Sequence, residues 1–168
     1  LGGESMQQTK RILVPTDFSE VSRAALSMGL QLASDNDAQL FVLHVVKDMD
    51  RELKKRLVSA PNESVIDDTI AKSERAILDA VELEKTRADE AKKNIKAVPL
   101  KMLVTGGDWL EVAMRLIDEH EIDLVVTGTH GGKGIKGFLL GSMSEQLVRR
   151  ATCSVFVVKP QGYPYLRD

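Results

Sequence analysis

The chain has 168 residues, 43% of them hydrophobic and 29% charged, with 23 Lys and Arg against 25 Asp and Glu for a net charge of −2. A chain of this length buries roughly 70% of the surface its unfolded form exposes, so one core suffices without staples. The single cysteine, Cys153, excludes an internal disulfide, the balanced charge excludes a basic field for nucleic acid, and no apolar run is long enough to cross a membrane.

Leu1 to Ser5 precede Met6 and read as a cloning remnant, and the opening lacks the order of a signal peptide. A disordered segment over 1–9, one folded domain over 10–160 and a tail over 161–168 are expected, in a reducing, cytoplasmic setting. Ile12, Leu13 and Val14 predict a first strand that stops at Pro15. Ser19 can cap the helix that follows, whose apolar positions Val21, Ala24, Ala25, Met28 and Leu32 recur at three- and four-residue spacing.

Gln39 to Val46 (QLFVLHVV) is nearly continuous in apolar residues, as in a strand buried on both faces. Lys47 to Arg56 is a charged connection, and Pro61 with Asn62 breaks it. From Glu63 to about Lys96 the stripe Ile66, Ile70, Ile77, Val81, Ala88, Ala91 and Ile95 predicts a long helix. A third strand is expected over Val98 to Thr105, then a turn at Gly106 and Gly107. Asp108 with Glu111 fits a capping box ahead of Leu110, Ala113, Leu116 and Ile117, with Trp109 in the packing. Asp123 to Thr127 predicts the fourth strand, Met143 opens a short helix, and Val155 to Val158 predicts the fifth strand. Strict alternation of strand and helix gives one doubly wound α/β domain with a parallel sheet.

Chemistry concentrates in Gly128 to Ser144 (GTHGGKGIKGFLLGSMS). Glycines between a strand and a helix let main-chain amides approach a ligand without a Cβ in the way. Ser142 with Glu145 fits a second capping box, so the positive end of a helix dipole follows the loop, which makes an anion site with phosphate the usual anion. Gly132, Gly134 and Gly137 spell G-x-G-x-x-G, but after the fourth strand and without a following acidic partner, so the match is read as a coincidence. The lysine-containing phosphate loop of NTPases is also missing.

Gly128, Gly131, Gly141 and Ser142 stand as G-x2-G-x9-G-S, which resembles the ATP-binding motif of the universal stress protein family. Lys10 to Glu20 (KRILVPTDFSE), Leu43 to Val45 (LHV) and Ser154 to Lys159 (SVFVVK) resemble its opening, second and last strands. Ser154 stands where the family often has proline, a departure in the turn and not in the loop. The resemblance implies a five-stranded parallel sheet in the order 3-2-1-4-5, helices on both faces, and nucleotide across the carboxyl ends of strands 1 and 4. It places Pro15, Thr16 and Asp17 at adenine and ribose and the Val45 backbone at the base. Gly128, Gly131, Gly141, Ser142 and Ser144 would hold ribose and phosphates, with His130 in the same loop. ATP is the implied ligand, with ADP or AMP open, and Mg2+ or Mn2+ would bridge the phosphates without a dedicated protein ligand. It further implies a homodimer through Val155 to Val158.

Other roles stay open for several of these residues. Asp17 can cap the first helix, Ser142 can cap the last, and His130 can be an exposed loop residue. His44 reads as a satisfied core residue, Lys133 and Lys136 as solvated cations, and Arg149 with Arg150 as complements to a helix dipole. Cys153 has no activating cation nearby. Asp17 alone among acidic residues falls in the crevice, so an ATP-binding regulatory protein of the stress response with little or no hydrolysis is the leading expectation, with no catalytic residues and an unidentified protein partner. An ATP-dependent enzyme transferring adenylyl or phosphoryl groups is the alternative, and it would need a second pocket.

Overall fold

The computed structural model describes residues 9–46, 63–129 and 142–159. In chain order these form β1 (Arg11–Pro15), α1 (Glu20–Asp35), β2 (Gln39–Val46), α2 (Glu63–Glu90), β3 (Leu100–Gly106), α3 (Trp109–Glu119), β4 (Leu124–Gly128), α4 (Ser142–Arg150) and β5 (Ser154–Val158). The strands form one parallel sheet in the order β3-β2-β1-β4-β5, as expected.

Side-chain alternation along the strands sorts the core into two layers. Ile12, Val14, Leu40, Val42 and Val126 face α1 and α2, where they meet Ala25, Leu26, Leu30, Ile77 and Val81. Leu13, Phe41, Leu43 and Val125 face α3 and α4, against Val112, Ala113, Leu116, Ile117 and Leu147. Leu13 and Val14, neighbours in sequence, are each fully buried in opposite layers, which is why β1 and β2 read as unbroken apolar runs.

Several boundaries and faces differ from the sequence expectation. β1 includes Pro15, β3 starts at Leu100 and runs to Gly106, β4 is shifted to Leu124–Gly128, and α4 starts at Ser142. Helix α2 ends at Glu90, short of Lys96, because Lys92 turns left-handed (φ 56°) and the Lys93 amide reaches back to the Ala88 carbonyl at 2.8 Å. The buried face of α1 is Val21, Ser22, Ala25, Leu26, Gly29, Leu30, Ala33 and Ser34, so Val21 and Ala25 of the expected stripe are buried whereas Ala24, Met28 and Leu32 are only partly buried. Small residues make that face: a Cβ on Gly29 would stand 2.5 Å from Val14 Cγ2, so α1 lies close on β1.

Candidate functional site

The crevice arises where β1 and β4 part. Their ladder consists of Ile12↔Leu124 and Leu13↔Val125, yet β1 continues to Pro15 and β4 to Gly128. On the other side β2 overhangs β1, since the last β1–β2 pair is Pro15↔Leu43 and Val45 lies two residues further, paired only with Thr105 of β3. The connections leaving β1 and β4 run in opposite directions at this point, the usual location of ligand sites in open α/β sheets.

The β1–α1 turn forms one wall and is fixed by a chain of hydrogen bonds. The Thr16 amide donates to the Leu43 carbonyl at 2.8 Å, and Thr16 Oγ1 accepts from the Phe18 amide at 3.1 Å and lies 3.2 Å from Ser22 Oγ. Asp17 Oδ1 accepts from the Ser19 amide at 3.0 Å, an Asx turn that leaves Phe18 left-handed at φ 62°. Asp17 is therefore not the helix cap; Ser19 is, accepting from the Ser22 amide at 3.2 Å. Asp17 is exposed and Thr16 half-buried at the mouth of the crevice.

His44 belongs to this wall more directly than a core residue would. Its Nδ1 lies 2.9 Å from the Thr16 carbonyl, which makes Nδ1 the protonated nitrogen, and its ring packs 4.6 Å from that of Phe18. The left-handed residue is thus held by the ring contact with His44 and by the bond from its own amide to Thr16 Oγ1, with the next amide bonded to Asp17 Oδ1.

The opposite wall is β4 and α4. Gly128 is pressed against α1, since a Cβ there would stand 2.3 Å from Val21 Cγ1 and 2.9 Å from the Val21 carbonyl oxygen. Ser144, 2% exposed, donates its hydroxyl to the Gly128 carbonyl and so ties the first turn of α4 to the end of β4. Thr129 Oγ1 is buried and has no hydrogen-bond partner among the described residues, a feature the sequence reading missed because nothing in the glycine spacing marks this position.

Pro15, Thr16, Asp17, Val45, Gly128 and Ser144 thus gather at the carboxyl ends of the strands, and Ser142 opens α4 at the same end. His130, Gly131 and Gly141 lie outside the described residues, as do Lys133 and Lys136. No group of three or more His, Cys, Asp or Glu side chains that could hold a metal occurs among the described residues, and none of the described helices is long and apolar enough to cross a membrane. Cys153 is half-buried; desolvation, followed by the Asp123 and Asp118 carboxylates among the raising influences, pushes its thiol above the ordinary value.

The chain is similar throughout to proteins of one kind. The family model for the universal stress protein family matches residues 8–159. Universal stress protein MJ0577 of Methanocaldococcus jannaschii is 28% identical over 155 residues, covering 89% of this chain and 94% of the relative. MJ0531 of the same organism is 30% identical over 156 residues, covering 89% and 82%. The structure of MJ0577 matches with a TM-score of 0.66 at 24% identity over 93% of this chain and 99% of the other. A universal stress protein crystallised in complex with cAMP matches with a TM-score of 0.59 at 22% identity over 90% and 98%. From its sequence and its fold alike, the chain belongs to the universal stress protein family.

Proposed function

We propose that the protein binds an adenine nucleotide, ATP in the first place, in the crevice between β1 and β4, and acts as a regulatory protein whose occupancy alters assembly or partner contacts. One observation carries this reading: the β1–β4 ladder stops after two pairs, and β4 runs on beyond it to Gly128, the first residue of the G-x2-G-x9-G-S spacing. Thr16, Asp17 and the Val45 main chain would take the nucleoside, where a carboxylate suits ribose hydroxyls. Gly128, Gly131, Gly141 and Ser142, with the amino end of α4, would take the phosphates, with His130 beside them. Ser144 supports them by fixing α4 over the crevice and would reach a phosphate only by turning from the Gly128 carbonyl. Thr129 Oγ1 is a further polar atom at this end of β4 that a ligand could satisfy.

The family member solved with cAMP shares the fold; the choice of ATP here rests on the resemblance of this chain's glycine and serine spacing to the family's ATP-binding motif. A Mg2+ or Mn2+ ion would be held by phosphate oxygens and water. Hydrolysis would need an oriented water and charge stabilisation, and Asp17, the acidic residue at the mouth, sits at the nucleoside end. The protein is proposed to act in the cytoplasm with little or no turnover.

The test is to denature purified protein, identify released nucleotide by mass, and titrate apo protein with ATP, ADP and AMP, with and without Mg2+. Stoichiometric ATP, or preference for it with loss on Asp17→Ala, is expected. No binding of any adenine nucleotide overturns the reading, and turnover on the order of 1 per second overturns its regulatory half.

A further inference from the structure

The side of α1 turned away from the core lines a second concavity. A cavity of about 520 Å³ lies between this side and the end of α2, and a smaller one of about 240 Å³ shares Ser27, Gln31, Glu84, Arg87 and Lys93 with it. Its cations are Arg23, Arg87, Lys93 and Lys159 and its carboxylates Glu20 and Glu84, a net charge of +2.

These charges are not equally paired. Glu84 is 5% exposed and accepts from Arg87 Nη1 at 2.8 Å; the carboxylate is buried while the Arg87 side chain stays half exposed, so the pair neutralises itself and leaves the Arg87 guanidinium at the open edge of the wall. Arg23 Nε is buried and finds no acceptor among the described residues, and neither Arg23 nor Lys93 has an ion-pair partner among them. A buried donor without an acceptor is uncommon in folded proteins and marks a place where an ion or water completes the bonding. Guanidinium groups bind phosphate oxygens through two parallel bonds, and two unpaired cations match a doubly charged anion.

We propose that this cavity is a binding site for a phosphate dianion, either inorganic phosphate or a small phosphate monoester, engaged by Arg23 and Lys93 with Arg87 alongside. Met28 and Ala24 on the same wall would receive the organic part of a monoester. The cavity borders the crevice wall at Val158, which pairs with Gly128, but opens on another side of α1: Val21 and Ser22 reach Gly128 and Thr16, whereas Arg23 and Ser27 line the cavity.

The experiment titrates the full 15N-labelled chain with inorganic phosphate and with glycerol 3-phosphate, with and without saturating ATP, following the Arg23 Nε–Hε resonance and the amides of Ser27 and Lys93. Saturable shifts with a Kd of about 1 mM or tighter that persist with ATP are expected, weakened about tenfold or more in both Arg23→Gln and Lys93→Gln. Tighter binding of glycerol 3-phosphate identifies a monoester as the ligand, and equal binding identifies the inorganic ion. Shifts confined to Gly128 and Ser144, shifts that never saturate, or affinity unchanged in both variants overturn the proposal; thermal melts of both variants keep loss of folding separate from loss of binding.

Discussion

Gly128 serves two needs that pull on the same atom. Main-chain access in the crevice favours the absence of a Cβ, and so does the contact with α1, where the Val21 carbonyl oxygen would lie 2.9 Å from one. A main-chain oxygen in a buried helix cannot swing aside, so Gly128→Ala is expected to destabilise the fold by about 1–3 kcal/mol. Urea denaturation should show a lower midpoint at unchanged slope. The sequence marks Gly128 through its spacing with Gly131 and Gly141, but its meeting with Val21 joins residues far apart in the chain and could not be read there. His44 is similar. An imidazole in an apolar strand reads as a satisfied core group, and its bond to the Thr16 carbonyl becomes visible only once β1 and β2 are set in register. Cys153 carries a prediction of its own. Burial favours the neutral thiol in the native state, so its raised value leaves stability intact below the ordinary thiol range and erodes it as pH rises through the native value. Alkylation of native protein by iodoacetamide at pH 8 should be slower than that of urea-unfolded protein, and Cys153→Ser should flatten the alkaline loss of stability.

Helix ends were legible where a side chain announces them. Asp108 accepts from the amides of Leu110 and Glu111 at 3.0 and 3.1 Å, the N-cap half of the capping box that its spacing with Glu111 implied. Asp108→Ala should cost about 1 kcal/mol, read as a lower thermal midpoint, and Asp108→Asn should recover most of it. The apolar stripe of α3 was legible for the same reason, since Leu110, Ala113, Leu116 and Ile117 are all buried. The stripe of α1 was legible only in part: Val21 and Ala25 are buried as expected, whereas Ala24, Met28 and Leu32 are only partly so. Its core face uses Ser22 and Gly29, and hydrophobic periodicity gives no weight to residues that pack by being small. The end of α2 was missed because Lys92 takes a left-handed turn with no glycine to signal it.

For the whole molecule, alternation of strand and helix was enough to give the layers, while the strand order came from the resemblance and matches the sheet. What periodicity alone lacks is any statement of which strands are neighbours, because order is decided by crossovers and not by local pattern. β5 is an edge strand, and Phe156 on it is 43% exposed, an apolar edge of the kind that pairs with another chain. The expected assembly is a homodimer through β5. Light scattering should give twice the 18.5 kDa chain mass, with Phe156→Glu shifting the protein to monomer; a wild-type protein of single-chain mass at micromolar concentration would refute the dimer.

The short seam between β1 and β4 bears on the cost of occupancy. Ladder bonds between these strands end at Leu13↔Val125, so a guest entering above that point separates no paired strands. Such preorganisation removes one of the usual penalties of association. It also implies uneven protection from solvent exchange, with Ile12 and Leu13 released only by global unfolding and the upper ends of β1 and β4 released by smaller local openings. A ligand in the crevice would even out that difference, so the sheet would become most uniform when the site is filled.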